Sequence, residues 1–369
     1  MPILTKQYGA KSVTQLMRSP PWVVPRQVPL FGEKGWEEWS PWLCSNVPGF
    51  AKAVRLLIAA GLEYDWRLFG SEDYHAKERK KLEDQLLAHM KRTVPKKYHQ
   101  ILQPDYGVGC KRRVLDATCR CCGEVFSYFW SPSLFYRAIA NFPLTGFLGL
   151  NDPAIELTTQ PLTSIGENTV TIGPGRTYPD PADTTSSAPS HEVTLPADVI
   201  ILANGFQTTK WLHPLDITGR GGKKLHDVFE ERGGPQMYMG MALDGFPNFF
   251  TIFGPNTATG HSSVIMASEN MVNMALKFIK PMIKGDVALT EIKKEAEIEW
   301  ARDTQSALKK RIWTTGGCRS WYQTEEGWNS TVYPYVHQPY ACCDTDPRVA
   351  TVKSGLLSVA CFPPGVIGT

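Results

Sequence analysis

Arg18 stands where the ligand of an open α/β sheet usually binds. It follows a short segment with strand character, Ser12 to Met17, and the proline pair Pro20-Pro21 comes after Ser19. Ligands of such sheets bind outside the carboxyl ends of the strands. An arginine is always cationic and offers five N–H donors, so it can hold a phosphate or a developing anion but cannot act as a base. A structural salt bridge is the alternative role for Arg18.

A second candidate site is a glycine-rich turn between a predicted strand and a predicted helix. Phe249–Phe253 is apolar and predicts a buried strand, and a long helix is predicted from about Val264, with Ser262 or Ser263 as its N-cap. A glycine-rich turn before a helix N-terminus favours negative charge. We therefore predict ligand contact in this turn, with an ordinary strand–helix connection as the alternative. Its residues are Gly254, Pro255, Asn256 and Thr257.

Asn204 and Gly205 form a third candidate site. They follow Ala197–Ala203, a continuous apolar run that predicts a strand buried on both faces of a sheet. Asparagine and glycine tolerate left-handed backbone, so a ligand can approach the main chain there. The glycine turn at Gly107 leads into the cations of Lys111–Arg113 and could contact a phosphate, but no strand precedes it and a dinucleotide-binding loop is not predicted.

Hydrophobic spacing and turn residues predict the elements that position these sites. The chain opens on what looks like the end of a helix closed by Gly9. The other predicted elements are a helix-rich region over Trp36–Gln103, strands over Ile155–Thr159 and Thr169–Ile172, and a helix over Thr290–Trp313.

Composition narrows the function classes. The chain has 369 residues, of which 42% are hydrophobic and 20% charged, as in a globular protein. A formal net charge of +3 gives no argument for a nucleic-acid partner. No leader opens the chain and no apolar run has the length of a membrane span, so we expect no membrane partner and a cytoplasmic location.

The nine cysteines are expected to be reduced thiols, as in cytosolic proteins. Cys119, Cys121 and Cys122 lie close together in the sequence, but their spacing matches no common zinc pattern and no histidine pair follows. No metal site is predicted.

Four stretches, in this order along the chain, carry a resemblance to a known family. They are Gln15–Pro25, Asp198–Phe206, Gly245–Ser263, and Gly317–Tyr322 together with Tyr333-Pro334, with weaker support from Gly109–Arg112. Together they resemble the flavin-dependent monooxygenases of the Baeyer–Villiger type and their flavin-containing monooxygenase relatives. The look of the sequence is that of a filamentous fungal protein, which would suit secondary metabolism.

The resemblance implies FAD and NADPH as cofactors. In that family NADPH reduces FAD, the reduced flavin reacts with O₂, and the resulting peroxide inserts oxygen next to a ketone; relatives oxygenate nitrogen or sulfur. By resemblance Arg18 is the catalytic arginine, which would stabilise developing negative charge. The residues expected to lie near the cofactors are Asn204, Gly205, Gly254, Pro255, Asn256 and Thr257. Met17 stands where NADPH-using relatives often carry a lysine, which puts a contact with the 2′-phosphate in doubt.

The departures from the family are also informative. Neither of the family's two Gly-x-Gly-x-x-Gly loops occurs, nor does its Phe-x-Gly-x-x-x-His-x-x-x-Trp-Pro fingerprint. The expected fold is therefore α/β: a partial flavoprotein fold with two dinucleotide-binding domains and a helical insertion, lacking the N-terminal FAD-binding strands. Without those strands, an unpaired sheet edge should be exposed.

The resemblance and the composition together predict five segments. They are residues 1–30 as a remnant of the NADPH-binding domain, 31–104 as a helical region, 105–196 as the rest of the NADPH domain with an atypical insert at 117–146, 197–336 as the C-terminal part of the FAD domain, and 337–369 as an atypical tail. The insert and the tail are interpreted as translated intron or shifted-frame sequence.

Three functions stay open at this point. The first is a monooxygenase that uses FAD, NADPH, O₂ and a ketone. The second is a remnant that binds no flavin, because the pyrophosphate would lack its backbone donors. The third is a nitrogen- or sulfur-oxygenating relative. The oligomeric state and the identity of the substrate do not follow from the sequence.

Overall fold

A computed structural model gives the fold of this chain. It describes residues 2–25, 32–116, 147–174, 191–203, 205–318, 320–335, 349–353 and 356–359. The predicted insert at 117–146, its three cysteines, and Asn204 lie outside the described residues.

The described residues form helices and short strands. The helices are α1 (Pro2–Lys6), α2 (Gly32–Asn46), α3 (Phe50–Tyr64), α4 (Asp73–Thr93), α5 (Leu225–Glu231), α6 (Val264–Ile283), α7 (Lys294–Lys309) and α8 (Ile312–Thr315). The strands are β1 (Val13–Leu16), β2 (Val23–Pro25), β3 (Val114–Asp116), β4 (Ile155–Thr158), β5 (Leu162–Ile165), β6 (Thr169–Ile172), β7 (Val193–Pro196), β8 (Leu289–Ile292), β9 (Val349–Lys353) and β10 (Leu356–Val359).

The chain divides into two compact units. The first unit comprises residues 1–61, 72–205 and 316–318, and the second comprises 62–71, 206–315 and 319–369. The five-segment division made from the sequence stays a prediction.

In the first unit, parallel strand pairs lie beside an antiparallel sheet. Strand β1 pairs with β4 and β2 pairs with β3, both in parallel. Strands β5, β6 and β7 form a separate antiparallel sheet. Parallel pairs are typical of α/β folds, in which helices cover the sheet. The strand predicted over Ser12–Met17 is confirmed as β1, and it ends two residues before Arg18.

The end of helix α4 and the segment that follows it contribute to a buried core cluster of the first unit. Met90 and Val94 pack with Val23 of β2 and Leu157 of β4, and Tyr98 lies in the same buried cluster. Met90 lies in the last turn of α4, Val94 is its C-cap in extended backbone, and Tyr98 lies in the turn beyond it, so the cluster continues past the end of the helix. The helix-rich character predicted for Trp36–Gln103 is confirmed by α2, α3 and α4.

In the second unit, helix α6 packs its apolar face inward. Ser263 is its N-cap and accepts a hydrogen bond from the backbone N–H of Met266, as one of the two predicted caps. Ala267, Met271 and Met274 are buried on one face of this helix. Strands β8, β9 and β10 form an antiparallel sheet, so part of the predicted tail pairs with β8.

Two predicted strands are wrong, and one predicted helix starts later than expected. Ala197–Ala203 and Phe249–Phe253 form no strand. A central strand needs hydrogen-bonded neighbours on both sides, and no described strand pairs with either segment. Val199 is 78% exposed and Ile201 67%, so the apolar run that predicted burial lies on the surface. The helix predicted from Thr290 begins at Lys294, because residues 289–292 are strand β8.

The expectation that all cysteines are reduced is also wrong. Cys110 and Cys318, which are 208 residues apart in sequence, form a disulfide within the first unit. Spacing along the chain gave no sign of this pair, because only the fold brings the two segments together. Cys44 is a free, exposed thiol.

Among the described residues, no single helix combines the length and apolar composition of a membrane span, although one sharply bent helix pair, Lys34–Asn46 with Phe50–Leu68, does so jointly.

Candidate functional site

Arg18 lies just past the carboxyl end of strand β1, as the sequence predicts. Backbone bonds hold this end of the strand, since the N–H of Met17 donates to the carbonyl of Thr158 at the end of β4. The Arg18 side chain is exposed, and it forms no salt bridge with any described residue. A structural ion pair therefore does not explain this arginine within the described part of the chain.

A second cation, Lys111, lies beside Arg18. Its Nζ donates to the Oγ of Ser19 at 3.0 Å and stands 4.7 Å over the ring of Tyr106. Burial lowers the pKa of Lys111, the positive charge of Arg18 lowers it further, and the carboxylate of Asp105 acts in the opposite direction. Like charges in proximity disfavour each other, so an anion placed between them is stabilised by both.

Tyr106 fixes the loop that carries Lys111. Its hydroxyl donates to the carbonyl of Pro20 at 2.8 Å, and its own carbonyl accepts from the indole N–H of Trp22 at 2.9 Å. Burial raises the pKa of Tyr106 to about 12, so the phenol stays neutral and keeps its donor. The loop and the segment after β1 are thereby joined through buried hydrogen bonds. We call Arg18, Ser19 and Lys111 the cationic site.

The glycine-rich turn in the second unit is held by its own hydrogen bonds. Asn256 is buried in left-handed backbone with φ of +57°, and its amide donates to the carbonyls of Asn329 and Val332. Thr257 donates its hydroxyl to the carbonyl of Gly254 at 2.7 Å. These two side chains close the turn, so contact with a ligand would have to come from its backbone.

Polar atoms without a partner cluster beside this turn. The Nδ1 of His261 and the Oγ of Ser262 are buried and have no hydrogen-bond partner among the described residues. The other ring nitrogen of His261, Nε2, lies 3.3 Å from Glu63 Oε2. Buried polar groups are nearly always satisfied, and the N-terminus of α6 starts immediately after them. This arrangement fits a polar, electron-rich ligand edge such as that of a reduced flavin.

Gly205 adopts left-handed backbone with φ of +83°, as the prediction for this turn requires. A Cβ added there would meet open space, so the backbone is accessible on that side. Asn204 lies outside the described residues, and its predicted cofactor contact stays a prediction.

The predicted site residues are divided between the two units. Arg18 and Gly205 lie in the first unit, whereas Gly254, Pro255, Asn256 and Thr257 lie in the second. The predicted roles of all these residues stay predictions. The sequence did not predict that Lys111 lies beside Arg18. Gly107–Arg113 was, however, already a candidate phosphate contact. A cation that follows a glycine turn is the sequence signal that could have indicated a second member of the site.

Comparisons with known proteins agree with the resemblance found in the sequence. No family model matches the chain. The FAD-binding monooxygenase ktnD of Aspergillus niger is 26% identical over 341 residues, which cover 88% of this chain and 46% of that protein. A Baeyer-Villiger monooxygenase of Streptomyces coelicolor is 28% identical over 234 residues, covering 63% of this chain and 36% of that protein.

This chain is similar to FAD-binding and Baeyer–Villiger monooxygenases. Among solved structures, an oxidised steroid monooxygenase bound to NADP matches 89% of this chain and 58% of its own chain, with a TM-score of 0.61 and 19% identity. A closed cyclohexanone monooxygenase matches 93% of this chain and 63% of its own, also with a TM-score of 0.61, at 15% identity.

These matches confirm the fold class expected for this chain. It has the α/β flavoprotein fold over the part of the solved structures that it matches. It spans less than half of the length of the two curated relatives described above.

Proposed function

We propose that this chain is the nucleotide-binding part of an FAD- and NADPH-dependent monooxygenase that inserts oxygen next to a ketone. The observation that carries the proposal is the cationic site, in which Lys111 Nζ reaches Ser19 Oγ at 3.0 Å beside the exposed Arg18. The kinship with monooxygenases, including an NADP-bound structure, supplies the cofactor classes.

The residues of the cationic site fit the phosphate of a nicotinamide nucleotide. Arg18 offers a planar fork of N–H donors, Lys111 a compact second charge, and Ser19 a hydroxyl. These three side chains orient an anion at the carboxyl end of β1 and replace hydrogen bonds that it would otherwise make with water. Lys111 thereby offers a cation for the 2′-phosphate, the contact that Met17 left in doubt.

Arg18 also remains our proposed catalytic residue, because the same guanidinium can stabilise an oxyanion that develops on a bound substrate. The two roles predict different kinetics. A phosphate contact governs KM for NADPH, whereas an oxyanion contact governs kcat.

The residues beside the turn Gly254–Thr257 fit a flavin edge. The proposed contacts are the backbone of Gly254, Pro255, Asn256 and Thr257, with the orphaned atoms of His261 and Ser262 as additional polar partners. Asn204 and Gly205 are proposed to lie near the same cofactors. Bound flavin supplies the reaction with O₂, and NADPH supplies the hydride. We further propose a cytoplasmic location and neither nucleic-acid nor membrane partners.

Purified protein tests this function directly. We expect a preparation reconstituted with FAD to retain the yellow flavin after desalting, to consume NADPH, and to convert a ketone into an ester or lactone. Turnover of a thioether to a sulfoxide, without a ketone product, would instead indicate the sulfur-oxygenating class. A colourless protein that consumes no NADPH would contradict the proposal and support the remnant that binds no flavin.

A further inference from the structure

The disulfide Cys110–Cys318 lies at the base of the cationic site. Cys110 is completely buried and directly precedes Lys111 in the chain. Its partner Cys318 belongs to a short segment, residues 316–318, that comes from a distant part of the sequence but lies in the first unit. The covalent bond therefore ends one residue before a member of the site.

Few other contacts fix the Gly107–Cys110 turn to that segment. The N–H of Gly107 donates to the carbonyl of Gly316 at 3.1 Å, and the N–H of Cys110 donates back to the carbonyl of Gly107 at 3.1 Å. Gly109 sits in left-handed backbone with φ of +100°. On the other side, the N–H of Val108 donates to Glu83 Oε1 at 2.9 Å. Among the described residues, two hydrogen bonds to other segments, the burial of Val108 and the disulfide position this turn, and Tyr106 anchors the chain just before it.

Lys111 needs such positioning because its side chain is long and its surroundings oppose its charge. Burial has the largest effect and lowers its pKa, the carboxylate of Asp105 raises it, and the neighbouring Arg18 lowers it. A lysine that could swing away would relieve this repulsion and leave Arg18 alone. Holding the backbone of Cys110 keeps the ammonium group near Ser19, so that the two cations are presented together before an anion arrives. Preorganisation of this kind raises affinity because less freedom is lost on binding.

We propose that the Cys110–Cys318 disulfide positions Lys111 beside Arg18 and makes phosphate binding at the cationic site dependent on the redox state of the pair. The inference rests on the proposed nucleotide-binding function of this site. Cys110 and Cys318 are positioning residues, since Cys110 acts on Lys111 through the backbone that joins them. With the disulfide formed, the site binds a phosphorylated nucleotide well; with two thiols, it binds the same nucleotide weakly.

The redox step balances with a dithiol as reductant. Dithiothreitol breaks the S–S bond by thiol–disulfide exchange, gives up two electrons and two protons, and closes into its cyclic disulfide, while Cys110 and Cys318 each gain a hydrogen. Access to the sulfurs has to come through Cys318, which is only partly buried.

The test is a calorimetric titration of the full chain with adenosine 2′,5′-bisphosphate and, separately, with adenosine. We expect the affinity of the oxidised protein for the bisphosphate to fall about tenfold, or about 1.4 kcal/mol, after reduction with dithiothreitol. The double variant Cys110→Ala/Cys318→Ala should match the reduced protein and no longer respond to dithiothreitol. The affinity for adenosine, which carries no phosphate, should not change. A general loss of structure would instead weaken the binding of both ligands.

Two controls separate this inference from the proposed function. Cys44→Ala removes the free, exposed thiol and should leave the response to dithiothreitol intact. Arg18→Ala should abolish the preference for the bisphosphate in the oxidised protein. If Arg18→Ala binds like the wild type, the cationic site itself is wrong. If Arg18→Ala fails to bind but the reduced protein still binds like the oxidised one, only the role of the disulfide is overturned. Should the double variant fail to fold, as judged by circular dichroism, the reduced wild type gives the same comparison.

Discussion

Arg18 and Glu297 show two opposite uses of charge in this chain. Arg18 is exposed beside another cation and so is ready for an external anion. Glu297 is fully buried and surrounded by donors of the second unit: its carboxylate accepts from Arg232, from the side chain of Gln236 at 3.0 Å, and from the N–H of Asp244 at 2.9 Å. The first arrangement suits binding, and the second holds the fold together.

Glu297 should make stability depend on pH. Burial raises its pKa from 4.5 to about 7, although its hydrogen bonds and Arg232 act in the opposite direction. The folded state therefore holds a proton that the unfolded state has already lost, so the free energy of unfolding should fall as pH rises from about 4.5 to about 7. The shift corresponds to about 3 kcal/mol at most.

Urea denaturation at several pH values measures this effect. The variant Glu297→Gln cannot ionise and should lose most of the slope in that window. Glu299→Gln, an exposed position on the same helix, is the matched control and should keep the wild-type slope. A Glu297→Gln variant with an unchanged slope would show that another group titrates.

At the scale of elements, the turn before helix α6 depends on a close backbone crossing. A Cβ at Gly254 would lie 2.3 Å from the carbonyl oxygen of Gly240, which cannot move as a side chain would. Gly254→Ala should therefore destabilise the second unit by about 3 kcal/mol, as overpacking of a rigid site does.

Gly285→Ala is the matched control for this turn. Its added methyl group would meet open space, and only its φ of +79° is unfavourable, so its cost should be about 1 kcal/mol. Thermal or urea unfolding measures both variants. Gly254 itself is not in left-handed backbone, so equal losses would mean that the Gly240 backbone moves aside and that the close approach costs no more than the unfavourable φ of Gly285.

The apolar segment Ala197–Ala203 offers a direct check on a prediction that the structure overturned. Ile201 is 67% exposed, so Ile201→Asp should change the free energy of unfolding by less than about 0.5 kcal/mol and should reduce aggregation. Leu243→Asp, at a fully buried position, should prevent folding. Severe destabilisation by Ile201→Asp would show that this segment is a buried strand after all.

Features that depend on neighbouring residues could be predicted from the sequence, whereas features that depend on residues far apart in the sequence could not. The N-cap at Ser263 and the buried face of α6 were predictable because both depend on neighbouring residues. The strand at Ala197–Ala203 was not, since a strand exists only with a hydrogen-bonded partner. Lys111 beside Arg18, and Cys110 bonded to Cys318, also required the fold, because their distances along the chain carry no signal.

At the scale of the whole molecule, the chain combines the flavoprotein fold with a site suited to a phosphate. It matches relatives and solved structures over most of its own length and about half of theirs. In the proposed function, the cationic site holds the phosphate that NADPH has and NADH lacks, so the preference between these two nucleotides depends on that site.

The affinities of the full, oxidised chain for NADPH and for NADH, measured in one buffer of fixed salt concentration, test this account most directly. The wild type should bind NADPH at least about tenfold more tightly than NADH, a difference of about 1.4 kcal/mol. Arg18→Ala should bind the two equally, whereas Arg302→Ala, an exposed cation of the second unit, should keep the difference. Equal affinities in the wild type, or an unchanged preference in Arg18→Ala, would contradict the assignment of Arg18 and Lys111 to a nucleotide phosphate.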